Sequence, residues 1–175
     1  MTSSTQPALG AIRLAWWREA LERLDKAPPP PEPRLQAVAI ELLPRGMTGA
    51  ELAELEDGWA TLLDEEPDVE RVAVRGERLF AMAAKLLGAS DTLLGVAGRL
   101  YGYETAFRAG PIGPHWPMEE MHQLCRHRFA RRLRPLTGLA RLAARDVKQA
   151  PAIEPEATPG RAAALLSHRL LGTVA

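Results

Sequence analysis

At 175 residues, 46% apolar and 25% charged, the chain has the length and composition of one globular domain, long enough to bury a real core. Its formal net charge is zero, so global charge draws it to neither nucleic acid nor an acidic substrate, and no apolar run approaches the roughly 18 residues of a membrane span. The charge is divided along the chain: residues 1–110 carry 12 Lys/Arg and 17 Asp/Glu, and residues 111–175 carry 10 and 5.

Ala, Leu, Arg and Glu dominate and β-branched runs are missing, which predicts helix throughout. The first helix is expected from about Pro7 to Lys26, with Leu9, Ile12, Trp16, Ala20 and Leu24 on its inner side, and the prolines after Ala27 end it. A short helix follows with Leu35, Val38, Ala39, Leu42 and Leu43 as its stripe. Thr48 and Glu51 have capping-box spacing and open a helix carrying Leu52, Leu55, Trp59 and Leu62. Pro67 and Asp68 start a longer one through Val72, Leu79, Phe80, Ala83 and Leu87, closed by Gly88. Ser90 or Asp91 caps the next, which turns Leu94, Ala97, Tyr101 and Thr105 inward and runs to about Arg108.

Residues 110–114 read as a Gly-Pro loop. From Pro117 a helix is expected through Met121, Leu124, Cys125 and Phe129, with the sole cysteine, Cys125, read as core. Pro135 opens a helix with Leu136, Leu139, Ala140 and Ala143 inward. Thr158 and Pro159 open the last, which ends near Gly172. The expected fold is therefore all-α, a single domain over 1–175 with about eight helices. A lone cysteine fits a reducing compartment, so the expected location is cytoplasmic, with contact at a membrane surface left open.

Three segments carry a resemblance. Arg13-Leu14-Ala15-Trp16-Trp17-Arg18-Glu19-Ala20-Leu21 resembles the Arg-Leu-x-Trp-Trp-Arg-x-x-Leu helix of squalene/phytoene synthase-like proteins. Leu55-Glu56-Asp57-Gly58-Trp59 is similar to their Ile-Asp-Gly segment, and the 79–88 helix to the small-residue helix before their second metal-binding helix. The resemblance implies a prenyl-synthase helical fold enclosing an apolar pocket. In the family's enzymes, Mg²⁺ held by two aspartate-rich motifs draws pyrophosphate from an isoprenoid diphosphate.

The chain departs from that pattern at the metal sites. Counting from Gly98, the positions of the second motif hold Gly102, Thr105, Arg108 and Ala109, so the arginine is kept while the amides and the aspartate are not. Leu62 stands four residues after Gly58, where the family has an aspartate. The residues before Arg13 contain no acid, which suggests a member lacking the N-terminal helix or helices of the family. The expectation is a protein without catalytic residues, metal ligands or cofactor, in which Arg108, Tyr101 and Thr105 contact an isoprenoid or lipid ligand. Such a protein resembles the non-catalytic relatives linked to assembly of respiratory complex I. Two alternatives stay open: an active head-to-head prenyl diphosphate transferase with a longer N-terminus, and a helical interaction module unrelated to isoprenoids.

Outside that frame, Arg126, Arg128, Arg131, Arg132 and Arg134 form a basic run. Arg128, Arg131 and Arg132 are candidates for binding an anion, set against the plainer reading of a solvated face around Leu124, Phe129 and Leu133. Nucleic acid is not expected, because no interleaved aromatics accompany the arginines. His115, His122, His127 and His168 have no metal-ligand spacing. The first helix bears apolar residues on two sides, Ile12, Trp16 and Leu24 against Leu14, Trp17 and Leu21. The second side is expected to meet a protein partner or another copy.

Overall fold

The structure is a computed structural model that describes residues 7–110, 117–150, 152 and 154–175. The fold is all-α. Among the described residues β pairing amounts to one isolated bridge, Arg128 to Thr173. The chain divides into two compact units, residues 1–67 and 68–175.

In the first unit, α1 (Pro7–Arg23) packs on α3 (Gly49–Ala53) and α4 (Asp57–Ala60), and α2 (Pro33–Glu41) sets Leu35 against Ala20 and Leu24. The capping box at Thr48 forms as expected: the Thr48 Oγ1 accepts from Glu51 N at 3.0 Å and Glu51 accepts from Thr48 N at 2.7 Å. Asp25 adds a second lock, accepting from Gly49 N and Ala50 N at 2.6 and 3.0 Å at the start of α3. The helix expected after Thr48 is split by 3₁₀ turns at Glu54–Glu56 and Thr61–Leu63.

The inner face of α1 differs from the expected one. Gly10, Ala20 and Leu24 are buried and Leu14, Trp17 and Leu21 half-buried, while Leu9, Ile12 and Trp16 are exposed, Ile12 by 66%. Small residues let α1 settle close to its neighbours on the Gly10 side, where Leu63 sits within 3.0 Å of a Cβ added at that glycine.

In the second unit α5 (Val69–Leu87) and α6 (Leu94–Ala109) form the central pair, α8 (Arg134–Gln149) lies on α6, and α9 (Pro159–Leu171) lies on α8. Phe80, Leu100, Leu124, Phe129, Leu133, Ala140 and Val174 share one core. The glycines at the α5–α6 crossing set its depth. A Cβ at Gly76 would stand 2.1 Å from the Gly98 carbonyl oxygen, and one at Gly98 would stand 2.5 Å from that of Gly76. Four helix ends follow the sequence signals: Asp68 caps α5, Thr158 caps α9, and Gly88 and Gly172 close their helices in the left-handed conformation, whereas α6 starts from Leu93 without a side-chain cap and Asp91 accepts from Leu93 N ahead of the helix.

Three expectations fail here. The helix from Pro117 stops early, as α7 (Met118–Gln123), because Arg126 takes φ 63° and turns the chain out of its helical path. Leu124, Phe129 and Leu133 nevertheless all reach the core, whereas Cys125 is exposed. Leu139 is turned outward, and Thr137, Gly138 and Asp146 join Ala140 and Ala143 on the buried face of α8. Residues 111–114 and His115 lie outside the described residues.

Candidate functional site

Tyr101, Thr105 and Arg108 follow one another at four- and three-residue steps, so α6 presents them on one face. The polar groups of Thr105 and Arg108 are already engaged. The Tyr101 ring packs on Phe80 with centroids 5.6 Å apart, and the Thr105 hydroxyl donates to the Tyr101 carbonyl at 2.8 Å. Arg108 donates from Nε to Glu104, and to Asp146 Oδ2 from Nε at 3.1 Å and Nη2 at 2.6 Å. Its Nη2 also donates to the Glu154 carbonyl at 3.1 Å. The guanidinium thus ties α6 to α8 and to the segment entering α9.

Asp146 is the centre of this cluster. It is 4% exposed, and Arg161 of α9 donates to both its oxygens at 2.6 and 2.7 Å. At the rim, Arg145 donates to Glu154 at 2.5 Å, and the Thr158 hydroxyl donates to the same carboxylate. Burial pushes the Glu104 carboxyl up to about 7, helped by the neighbouring Asp146 and opposed by Arg108. Burial opposes ionisation of Asp146 too, but hydrogen bonds involving Glu104, Arg161 and Arg108 outweigh it and hold Asp146 below the usual carboxylate range.

Sequence reasoning named Arg108 but not Asp146 or Arg161. The available signal was a charge on an apolar face: Asp146 falls on the Ala140–Ala143 side of α8, and Arg161 on the Ala164 side of α9. Such positions are rarely charged without a partner.

The fit to Mg²⁺ is poor. The ion needs ionised oxygen ligands and keeps several waters, yet Glu104 and Asp146 are bonded by arginines in a confined interior. Among the described residues no three His, Cys, Asp or Glu side chains come together as a metal site.

The basic run forms an irregular segment around the end of α9. Phe129 N donates to Gly172 O at 2.9 Å, and Arg134 Nη1 donates to the carbonyls of Arg169 and Leu170 at 2.8 and 3.0 Å. Arg134 is thereby committed to closing α9, as a cation suits a helix C-terminus. Arg126, Arg128, Arg131 and Arg132 are exposed and make no ion pair among the described residues. The acid that reaches this segment, Asp91, is held by His127 at 2.9 Å.

His168 is buried between α8 and the chain end. Its Nδ1 lies 2.8 Å from Thr173 O, which can only accept, and burial lowers its pKa, so the neutral ring carries its proton on Nδ1. Nε2 lies 3.0 Å from the Thr137 hydroxyl, whose one proton is shared between that nitrogen and the Leu133 carbonyl at 3.1 Å. No helix of the described residues is long and apolar enough to cross a membrane. Comparison with protein-family models, with curated proteins and with solved structures finds no match.

Proposed function

We propose that this chain is a non-catalytic helical protein of the squalene/phytoene synthase-like type. It works by binding an isoprenoid or other lipid, or a protein in an assembly step, rather than by prenyl transfer. The observation that carries the reading is the Arg108 clamp. By the resemblance, α6 corresponds to the helix that presents carboxylates to Mg²⁺ in the family's enzymes. Here Glu104 and Asp146 are instead tied to Arg108, with Arg161 on Asp146 as well. Two fixed cations beside these carboxylates repel a dication and leave no oxygen face for diphosphate-bound metal. Ionisation of a prenyl diphosphate needs that neutralisation, so the reading excludes turnover while allowing uptake of the chain of a lipid.

The test is to supply the protein with Mg²⁺ and farnesyl or geranylgeranyl diphosphate and to measure pyrophosphate release beside calorimetric titration with a non-hydrolysable prenyl diphosphate. Release at the level of boiled protein, with or without binding, is expected. Sustained Mg²⁺-dependent turnover would return the chain to the transferases.

A further inference from the structure

The outward face of α9 is apolar where a surface helix is ordinarily polar. Arg161, Ala164 and His168 point to the core. On the opposite side Ala162, Ala163, Leu166 and Leu170 face out, with Leu166 60% and Leu170 69% exposed. Leu165 and Arg169 flank this stripe, and both are exposed.

The end of this stripe adjoins the basic segment. Arg134 binds the last carbonyls of α9, and the Arg128 backbone bridges to Thr173, so the segment that bears the exposed Arg126, Arg128, Arg131 and Arg132 runs past the C-terminal end of α9. Residues 121–145 contain seven arginines and no acid, and no acid follows Glu156.

We propose that this face of the second unit docks on an anionic lipid surface, with α9 lying in the interface plane. Only such a surface covers both halves of the face at once: headgroup phosphates meet the arginines, and the acyl boundary receives the leucine stripe. An acidic peptide or a nucleic acid would pair with the arginines and leave the leucines in water. A neutral apolar groove would do the reverse. The α9 helix is only 13 residues long, so it lies on a bilayer rather than spanning one. The inference rests on this surface alone and does not require the isoprenoid reading.

The experiment is flotation of the full chain with phosphatidylcholine vesicles, with and without phosphatidylglycerol, at low and high salt. Binding to the mixed vesicles, weakened by salt, is expected. Arg131→Ala with Arg132→Ala should lower the partition about thirtyfold, and Leu166→Ser with Leu170→Ser should reduce it about tenfold or more. All four positions are exposed, so helical circular dichroism should match the parent. A polarity-sensitive dye on the exposed Cys125, beside the basic segment, should shift to the blue with mixed vesicles only. Failure to float, or equal flotation with neutral vesicles, would overturn the proposal. So would binding to a DNA duplex or an acidic polypeptide that exceeds vesicle binding and persists in the leucine variant. Loss of flotation on Ile12→Ser with Trp16→Ser, while the α9 variant still floats, would assign the contact to α1 instead.

Discussion

Arg108 stands between two carboxylates that water scarcely reaches, and this decides what its removal does. A surface pair at i, i+4 is worth a few tenths of a kcal/mol. Removing Arg108 leaves Glu104 without its cation while Arg161 still holds Asp146, which puts the cost toward the lower end of the about 3–5 kcal/mol of a broken buried pair. Arg108→Ala should therefore lower the stability of the second unit by about that amount, read as a fall in the urea midpoint, and a change of only a few tenths would show the cluster to be solvent-screened. Glu104 supplies a pH signature. Its folded pKa of about 7 lies above the ordinary 4.5, so its contribution to stability is fully present below about 4.5 and is lost as pH rises through about 7. Glu104→Gln removes that titration. The stability of the variant relative to the parent should rise between pH about 5 and about 8, and a parallel pair of pH profiles would refute the raised pKa.

At the level of helices, the sequence signals that held were the local ones. Thr48 with Glu51, Asp68, Thr158 and Gly172 mark helix ends because the cap satisfies backbone groups a few residues away, and nothing distant is needed. The losses came from choices between faces. Periodicity admitted two stripes on α1, and the buried one is marked by Gly10 and Ala20, whose small size permits close approach but scores poorly as hydrophobic. The end of α7 was illegible because a left-handed arginine at position 126 has no favourable local signal. The Arg108–Asp146–Arg161 cluster joins residues 38 and 15 positions apart, which only packing reveals.

The α5–α6 crossing yields a contrasting pair of substitutions. A Cβ at Gly98 would meet the Gly76 carbonyl oxygen at 2.5 Å and Glu77 Cα at 2.8 Å, both backbone, so the helices must part. A Cβ at Gly95 meets only the Glu77 side chain, at 3.2 Å and beyond, which can swing away. Gly98→Ala should cost about 1–3 kcal/mol or more by overpacking. Gly95→Ala should be neutral or gain up to about 1 kcal/mol from helix propensity. Thermal unfolding of the two variants side by side checks this, and equal shifts would mean the crossing is looser than 2.5 Å implies.

The two units differ in charge and in core. Residues 1–67 hold 6 Lys/Arg and 12 Asp/Glu, a net charge of −6, and residues 68–175 hold 16 and 10, a net charge of +6. The zero total therefore hides an acidic and a basic half, with the basic half bearing the arginine segment and the apolar α9 face. The core of the first unit is small: Ala20, Leu24 and Leu35 are buried together, with Trp17, Leu21, Val38 and Leu43 against them, and Met47 and Ala53 are buried besides. That of the second is continuous from Phe80 on α5 to Val174 near the chain end, and the Asp146 cluster cross-links three of its segments. A 67-residue unit with so few buried side chains is marginal, because the chain entropy lost per residue, about 1–2 kcal/mol, is offset by little apolar burial. Expressed separately, residues 68–175 should show helical circular dichroism and a cooperative thermal transition, whereas residues 1–67 should show partial helicity that melts without a sharp midpoint. If 68–175 also melts without cooperativity, its core depends on the first 67 residues, and the chain folds as the single domain that its length suggests.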